Sequence, residues 1–219
     1  VDVNAMQMAC RTRALTLVVA TTGSASLAAT ASGFTRAAGS FLSDGFRPGM
    51  EVTATGFNAA NNAARVLTNV TATLLSCAGL TAQAADTGRT VLVGLPSRRA
   101  WENVEFEAEV GQPWVEEQFT PGVTFRPGLT PHGTVEVRPL YSLQVHALQG
   151  EGIGAPNGYA TGLLALFTPG SAMVLASGDV LRVRADTGVN VGQKLVRKPG
   201  YATVPVSIPL RLYTQQTIS

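Results

Sequence analysis

Six residues, GEGIGA at 150–155, are the first place to look for chemistry. They match the loose Gly-x-Gly-x-x-Gly/Ala pattern, in which backbone N–H groups cradle a phosphate between a strand and a helix. Such a site needs a preceding strand buried on both faces and a later strand ending in an acid. The run before it, GTVEVRPLYSLQVHAL at 133–148, instead alternates like a half-buried antiparallel strand. No acid-ended strand follows at the right distance. A loop before a helix is the better reading.

The only histidines are His132 and His146. Nucleophilic catalysis needs a base, an orienting acid and a nucleophile together. His146 sits on the alternating run between Val145 and Ala147 with no nucleophile signature beside it, and His132 lies among Pro131 and Gly133. Glu116 and Glu117 are adjacent on a strand, so their side chains point to opposite faces and do not form an acid–base pair. Glu105, Glu107 and Glu109 share one face of an expected strand, as an acidic stripe. A solvated face is favoured for it over the lining of a channel. Cys10 and Cys77 are too few for a disulfide framework or a metal site and read as buried free thiols in a reducing compartment. Arg182, Arg184, Lys194, Arg197, Lys198 and Arg211 concentrate late in the chain. Only Tyr201 and Tyr213 lie among them, which is thin for a single-stranded nucleic-acid platform. No catalytic residue, cofactor or metal is expected.

The elements that would position these residues divide the chain unevenly. Residues 2–14 read as a helix with Asp2 or Asn4 as its cap. LTLVVAT then reads as strand, SFLSDGF as one turn, and MEVTATGF as a half-buried strand. ARVLTNVTATLLSC reads as two strands turning near Asn69, and TVLVGL as another strand. The PSRR run at 96–99 is a seam, since every Trp and Tyr of the chain lies beyond it. There, 133–148 is a long strand, 155–170 a helix with Pro156 in its first turn, and 179–186 a strand. Residues 194–214 form a hairpin-like pair turning at Lys198-Pro199-Gly200, with Pro205 and Pro209 at an edge or bulge. The segment 119–133 reads as a long irregular loop with three prolines. Its Phe119, Phe125 and Leu129, with Arg126 and His132, either dock a partner or fold back on their own domain.

The resulting fold class is α+β: a mostly antiparallel sheet flanked by one or two helices, interrupted by a small all-β, barrel- or sandwich-like domain. Residues 1–15 and 98–219 form the discontinuous α+β part, and 16–97 the insert, whose ends must then lie close together. Of the 219 residues, 45% are apolar and only 14% charged. So low a charge suits a surface partly covered by other subunits. A net charge of +2 makes no general case for nucleic-acid binding. No apolar run reaches membrane-spanning length, and the start of the sequence is a poor signal peptide.

AWENVEFEAEVGQPWVEEQF, VRPLYSLQVHAL, LLALFTPGSAM and YATVPVSIPL, in that order, resemble the tail terminator (tail-completion) proteins of long-tailed bacteriophages. The likeness is weak over 2–14 and good over 98–215. It implies a structural α+β protomer, without catalytic residues, that assembles as a homo-hexameric ring. Such a ring caps the tail tube, ends its polymerisation and presents a surface to the head connector. It also implies a neck position in the virion, assembly in the host cytoplasm, and double-stranded DNA passing through without specific binding. The wording SFLSDGF…GMEVTATGFNAANN resembles a small β module of several phage virion proteins. Alternatives are a tube or connector subunit and, in another class, a glycan-binding or adhesin-like module. The second suffers from having no Trp or Tyr in 16–97 for sugar stacking.

Overall fold

The computed structural model describes residues 2–102, 104–125, 133–148, 154–193 and 200–216. Helix α1 spans Val3–Leu15, and the Asp2 carboxylate caps it by accepting from the backbone N–H of Asn4 and Ala5. Met6, Cys10 and Ala14 form its buried stripe. Eight strands follow: β1 (Ala20–Thr21), β2 (Ala25–Thr30), β3 (Gly33–Arg36), β4 (Glu51–Thr55), β5 (Arg65–Val66), β6 (Asn69–Val70), β7 (Leu74–Ser76) and β8 (Gln83–Val93). They pair antiparallel in the order β5-β4-β8-β2-β3-β7-β6, with β1 also on β8. Phe34, Phe41, Phe46, Met50 and Leu75 fill the core beneath them.

Two details differ from the sequence reading. LTLVVAT supplies only the two-residue β1, on the stretch of β8 edge that β2 leaves uncovered beyond Arg89. The tight turn falls at Thr71–Thr73, where Thr71 N–H donates to the Leu74 carbonyl; Asn69 lies in β6 opposite Ser76.

The second sheet comes wholly from later residues: β9 (Arg99–Trp101), β10 (Trp114–Phe125), β11 (Gly133–Leu148), helix α2 (Gly154–Leu166), then β12 (Ala172–Val174), β13 (Val180–Val183), β14 (Asn190–Val191) and β15 (Tyr201–Gln216). Its order is β12-β13-β15-β11-β10-β9, with β14 also on β15. All pairs are antiparallel except β9 with β10. One face carries Val115, Phe119, Tyr141, Leu143, Val145, Val206, Ile208 and Leu210, all buried in a core shared with α1 and α2. The opposite face carries Ser142, Gln144, Ser207, Arg211 and other partly exposed groups. The fold is therefore α+β, with antiparallel sheets dominant.

Residues 119–125 are not loop but the second half of β10, paired with β11 up to Phe125↔Glu136. Pro121 and Gly122 cause no break because the register slips there by a bulge. Gly122 has φ +79°, and a Cβ on it would overlap the Arg138 carbonyl, so only glycine fits. Pro205 and Pro209 lie not at an edge but in the interior strand β15. Each accepts one backbone bond, Pro205 from Gly192 and Pro209 from Arg184, both at 2.9 Å. Neither can donate one back, and β14 and β13 end beside them. The prolines thus trim the neighbouring ladders while β11 stays paired on the other side.

The two sheets touch through α2. Gly154, Gly158 and Gly162 recur every fourth residue and form one face of the helix. A Cβ on Gly158 would lie 2.7 Å from Met50 Cε, and one on Gly162 2.9 Å from Leu17 Cδ1. The chain also enters and leaves the first sheet side by side: Val19 N–H donates to the Val93 carbonyl at 2.8 Å.

Candidate functional site

The buried charge of the second sheet is Glu117, with 1% of its side chain exposed. Its Oε1 lies 3.1 Å from Arg99 Nη1 on β9, and its Oε2 accepts from the Tyr141 hydroxyl on β11 at 2.7 Å. Arg11 of α1 brings Nε to 3.5 Å and stacks its guanidinium on Trp101, 3.7 Å from the ring centroid. Burial, then the Glu117 charge, push the Tyr141 phenol far above its usual range, so it stays a donor. Two cations and a phenol satisfy one carboxylate, which clamps α1 onto three strands. This is a positioning device, and the sequence showed only half of it: Glu116 and Glu117 do face opposite ways, and Glu116 is the exposed one.

His146 is buried and stacks on Trp114 at 3.6 Å between centroids. Its Nδ1 lies 2.8 Å from the Thr203 hydroxyl, and its Nε2 lies 3.7 Å from the Glu116 carboxylate. The order hydroxyl, imidazole, carboxylate imitates a catalytic triad. Thr203, however, is fully buried in the interior of β15, so its oxygen cannot reach a substrate. Among the described residues no group of three or more His, Cys, Asp or Glu is placed to hold a metal. No described helix is long and apolar enough to cross a membrane. Cys10 and Cys77 are both buried free thiols. In the GEGIGA run, residues 150–153 lie outside the described residues, and α2 begins at Gly154.

The acidic stripe corrects the strand reading. Residues 105–109 pair with no strand. Their alternation is real: Glu105, Glu107 and Glu109 point out, while Phe106 and Ala108 pack on Trp114 and its neighbours. Side chains take the carbonyls that a ladder would have used. Arg98 donates to the Glu107 carbonyl at 3.0 Å, and the Tyr201 hydroxyl to that of Glu109 at 2.6 Å. Glu109 also pairs with Arg98, whereas Glu105 and Glu107 have no cationic partner among the described residues.

Of the candidate interface residues, Phe119 is a core residue, 5% exposed. Phe125 is 43% exposed and lies under the Arg138 guanidinium at 4.4 Å. Arg126, Leu129 and His132 lie outside the described residues. The strand register adds residues that the sequence reading had not brought together. Arg182 stands directly opposite Arg211, and the β11–β15 register places Arg138 next in the row. Val123 faces Arg138, and Phe125 and Tyr213 both face Glu136. The late clustering of arginines was visible in the sequence; their alignment needed the pairing.

A solved structure without a descriptive name is 24% identical, covering 57% of this chain and 82% of its own, with a TM-score of 0.43. A likeness that distant bears no weight. No curated protein matches the chain. The family described as "Phage tail terminator protein" matches residues 79–210, from just before β8 through most of β15. With more than half its length matched, the chain belongs to the phage tail terminator family, whose members are structural components of the virion tail.

Proposed function

We propose that this protein forms a ring at the end of the phage tail tube, stops the tube's polymerisation and joins it to the head connector. The family match over 79–210 carries this reading. The low charged fraction supports it, since 14% suits a subunit with covered surfaces. The partners are further copies of this chain, the tube protein and the connector, with DNA passing through the centre without specific contacts and no membrane involved. The ring is assembled in the host cytoplasm and sits at the neck. Residues 16–97 act as an insert that adds surface to a protomer made of 1–15 and 98–219; the side-by-side crossing at Val19 and Val93 supports this.

A reconstruction of the particle tests the reading. One ring of this chain, six copies between tube and connector, is the expected result. Many stacked copies along the tail would make it a tube subunit instead. Phage lacking the protein should make tails of uncontrolled length without heads.

A further inference from the structure

Three arginines in one row are a liability in an isolated subunit. Directly paired cross-strand residues on one face sit about 5 Å apart, and like charges there repel. Arg182 and Arg211 are such a pair, with no carboxylate partner for either among the described residues. Arg138, next to them, is neutralised by Glu136 at 3.0 Å. Exposed Val123, Phe125 and Tyr213 flank the row.

The same sheet carries the complementary surface at its other end. Residues 104–110 lie beside the start of β10, with Phe106 packed on Trp114; there Glu105 and Glu107 are exposed with no cationic partner among the described residues, and Val104 and Val110 are exposed, Val110 by 94%. Tyr201 marks that end of β15 and Arg211 lies ten residues along it. At the strand rise this is roughly 33 Å, several screening lengths, so the acids cannot serve the arginines of their own chain.

We infer that the Glu105–Glu107 segment of one copy docks on the Arg182–Arg211 face of the next, as the head-to-tail contact of the ring. The occupant is a second copy because this chain supplies both halves, charged and apolar groups alike, at opposite ends of one rigid sheet. A heterologous contact between two different patches is what a cyclic ring requires. The inference rests on the ring reading above and assigns the residues that close it. Phosphates of the transiting DNA are the competing anion for the arginines.

Charge reversal tests it by sedimentation velocity and electron microscopy. Glu105→Lys with Glu107→Lys should yield monomers, and so should Arg182→Glu with Arg211→Glu. Mixed one to one, the two variants should form rings of alternating subunits, because each then meets an opposite charge. Rescue on mixing also shows that both variants are folded. Either variant assembling alone like the unaltered chain, or a mixture of folded variants that stays monomeric, overturns the inference and leaves the ring reading intact. An unaltered chain that never forms rings, free or on tail tubes, removes both. If duplex DNA binding is lost in the arginine variant while its rings persist, the row faces DNA and the inference fails.

Discussion

The Tyr141 hydroxyl donates to the Glu117 carboxylate at 2.7 Å, where α1, β9, β10 and β11 meet. Because Arg11 and Arg99 approach the same carboxylate, removing it strands two cations at once. Breaking a buried ion pair from one side costs about 3–5 kcal/mol. Glu117→Ala is therefore expected to lower stability by that order in denaturant unfolding. Tyr141→Phe should cost less, about 1–3 kcal/mol, as the loss of one hydrogen bond to a charged group. Protease nicking near Leu15 should rise in the first variant, since α1 loses its clamp. Equal stability of Glu117→Ala and the unaltered chain would refute the clamp.

Alkaline pH should unfold the protein through its thiols. Burial lifts Cys10 from 9.0 to about 12 and Cys77 from 9.0 to about 11. Burial likewise raises the phenols of Tyr141 and Tyr159. For groups whose folded pKa lies above the unfolded one, the contribution is fully present below pH 9. It is lost as pH rises from 9 through about 11 and 12, because the unfolded chain releases its protons first. Denaturant midpoints should be flat up to pH 9 and then fall, and Cys10→Ala should make that fall shallower. At pH 8 neither thiol should react with a disulfide reagent until the chain unfolds.

Much of the fold was legible because local pattern and tertiary role agree. Asp2 announces α1, and the alternation of 133–148 is the observed β11 from end to end. The failures have physical causes. Pro121 and Gly122 look like loop, yet a bulge absorbs them. Pro205 and Pro209 look like edge residues, yet an interior strand needs donors only where a neighbour continues. The 105–109 segment alternates without a ladder because Arg98 and Tyr201 take its carbonyls. Gln83–Gly88 carries no large apolar residue, so the first half of β8 had no signal; β2 pairs with it across two register shifts. The arginine row follows from register, which a single sequence does not state.

The α2 glycines predict how the two sheets are joined. Glycine costs a helix about 1 kcal/mol relative to alanine, so three at spacing four need a compensating contact. Leu17, Val19, Arg47 and Met50 lie against them. Gly158→Leu should force the sheets apart and cost about 1–3 kcal/mol, as overpacking does. Gly158→Ala should be milder, because Met50 Cε is the flexible end that must give way while helix propensity improves. Thermal unfolding of both variants checks the order. Gly170, whose Cβ would meet nothing within 4 Å but whose φ is +81°, is the control that reports backbone strain alone.

The seam itself hangs on a second buried carboxylate. Glu51 of β4 accepts from the Ser97 backbone N–H at 2.9 Å and from its hydroxyl at 3.1 Å. No cation pairs with Glu51 among the described residues, so hydrogen bonds alone hold it. Ser97→Ala removes one of the two and should cost about 1.5–3 kcal/mol, the range for a bond to a charged group. Glu51→Gln keeps an acceptor and drops the buried charge, so it should be the milder change. Glu51→Ala frees the Ser97 backbone and should be the worst. Trypsin reads the result directly, because Arg98 and Arg99 follow the joint: cleavage there should quicken in the order Glu51→Gln, Ser97→Ala, Glu51→Ala. If all three are cut at the unaltered rate, the joint is held by the α2 contacts, and Gly158→Leu should then be the variant that opens it.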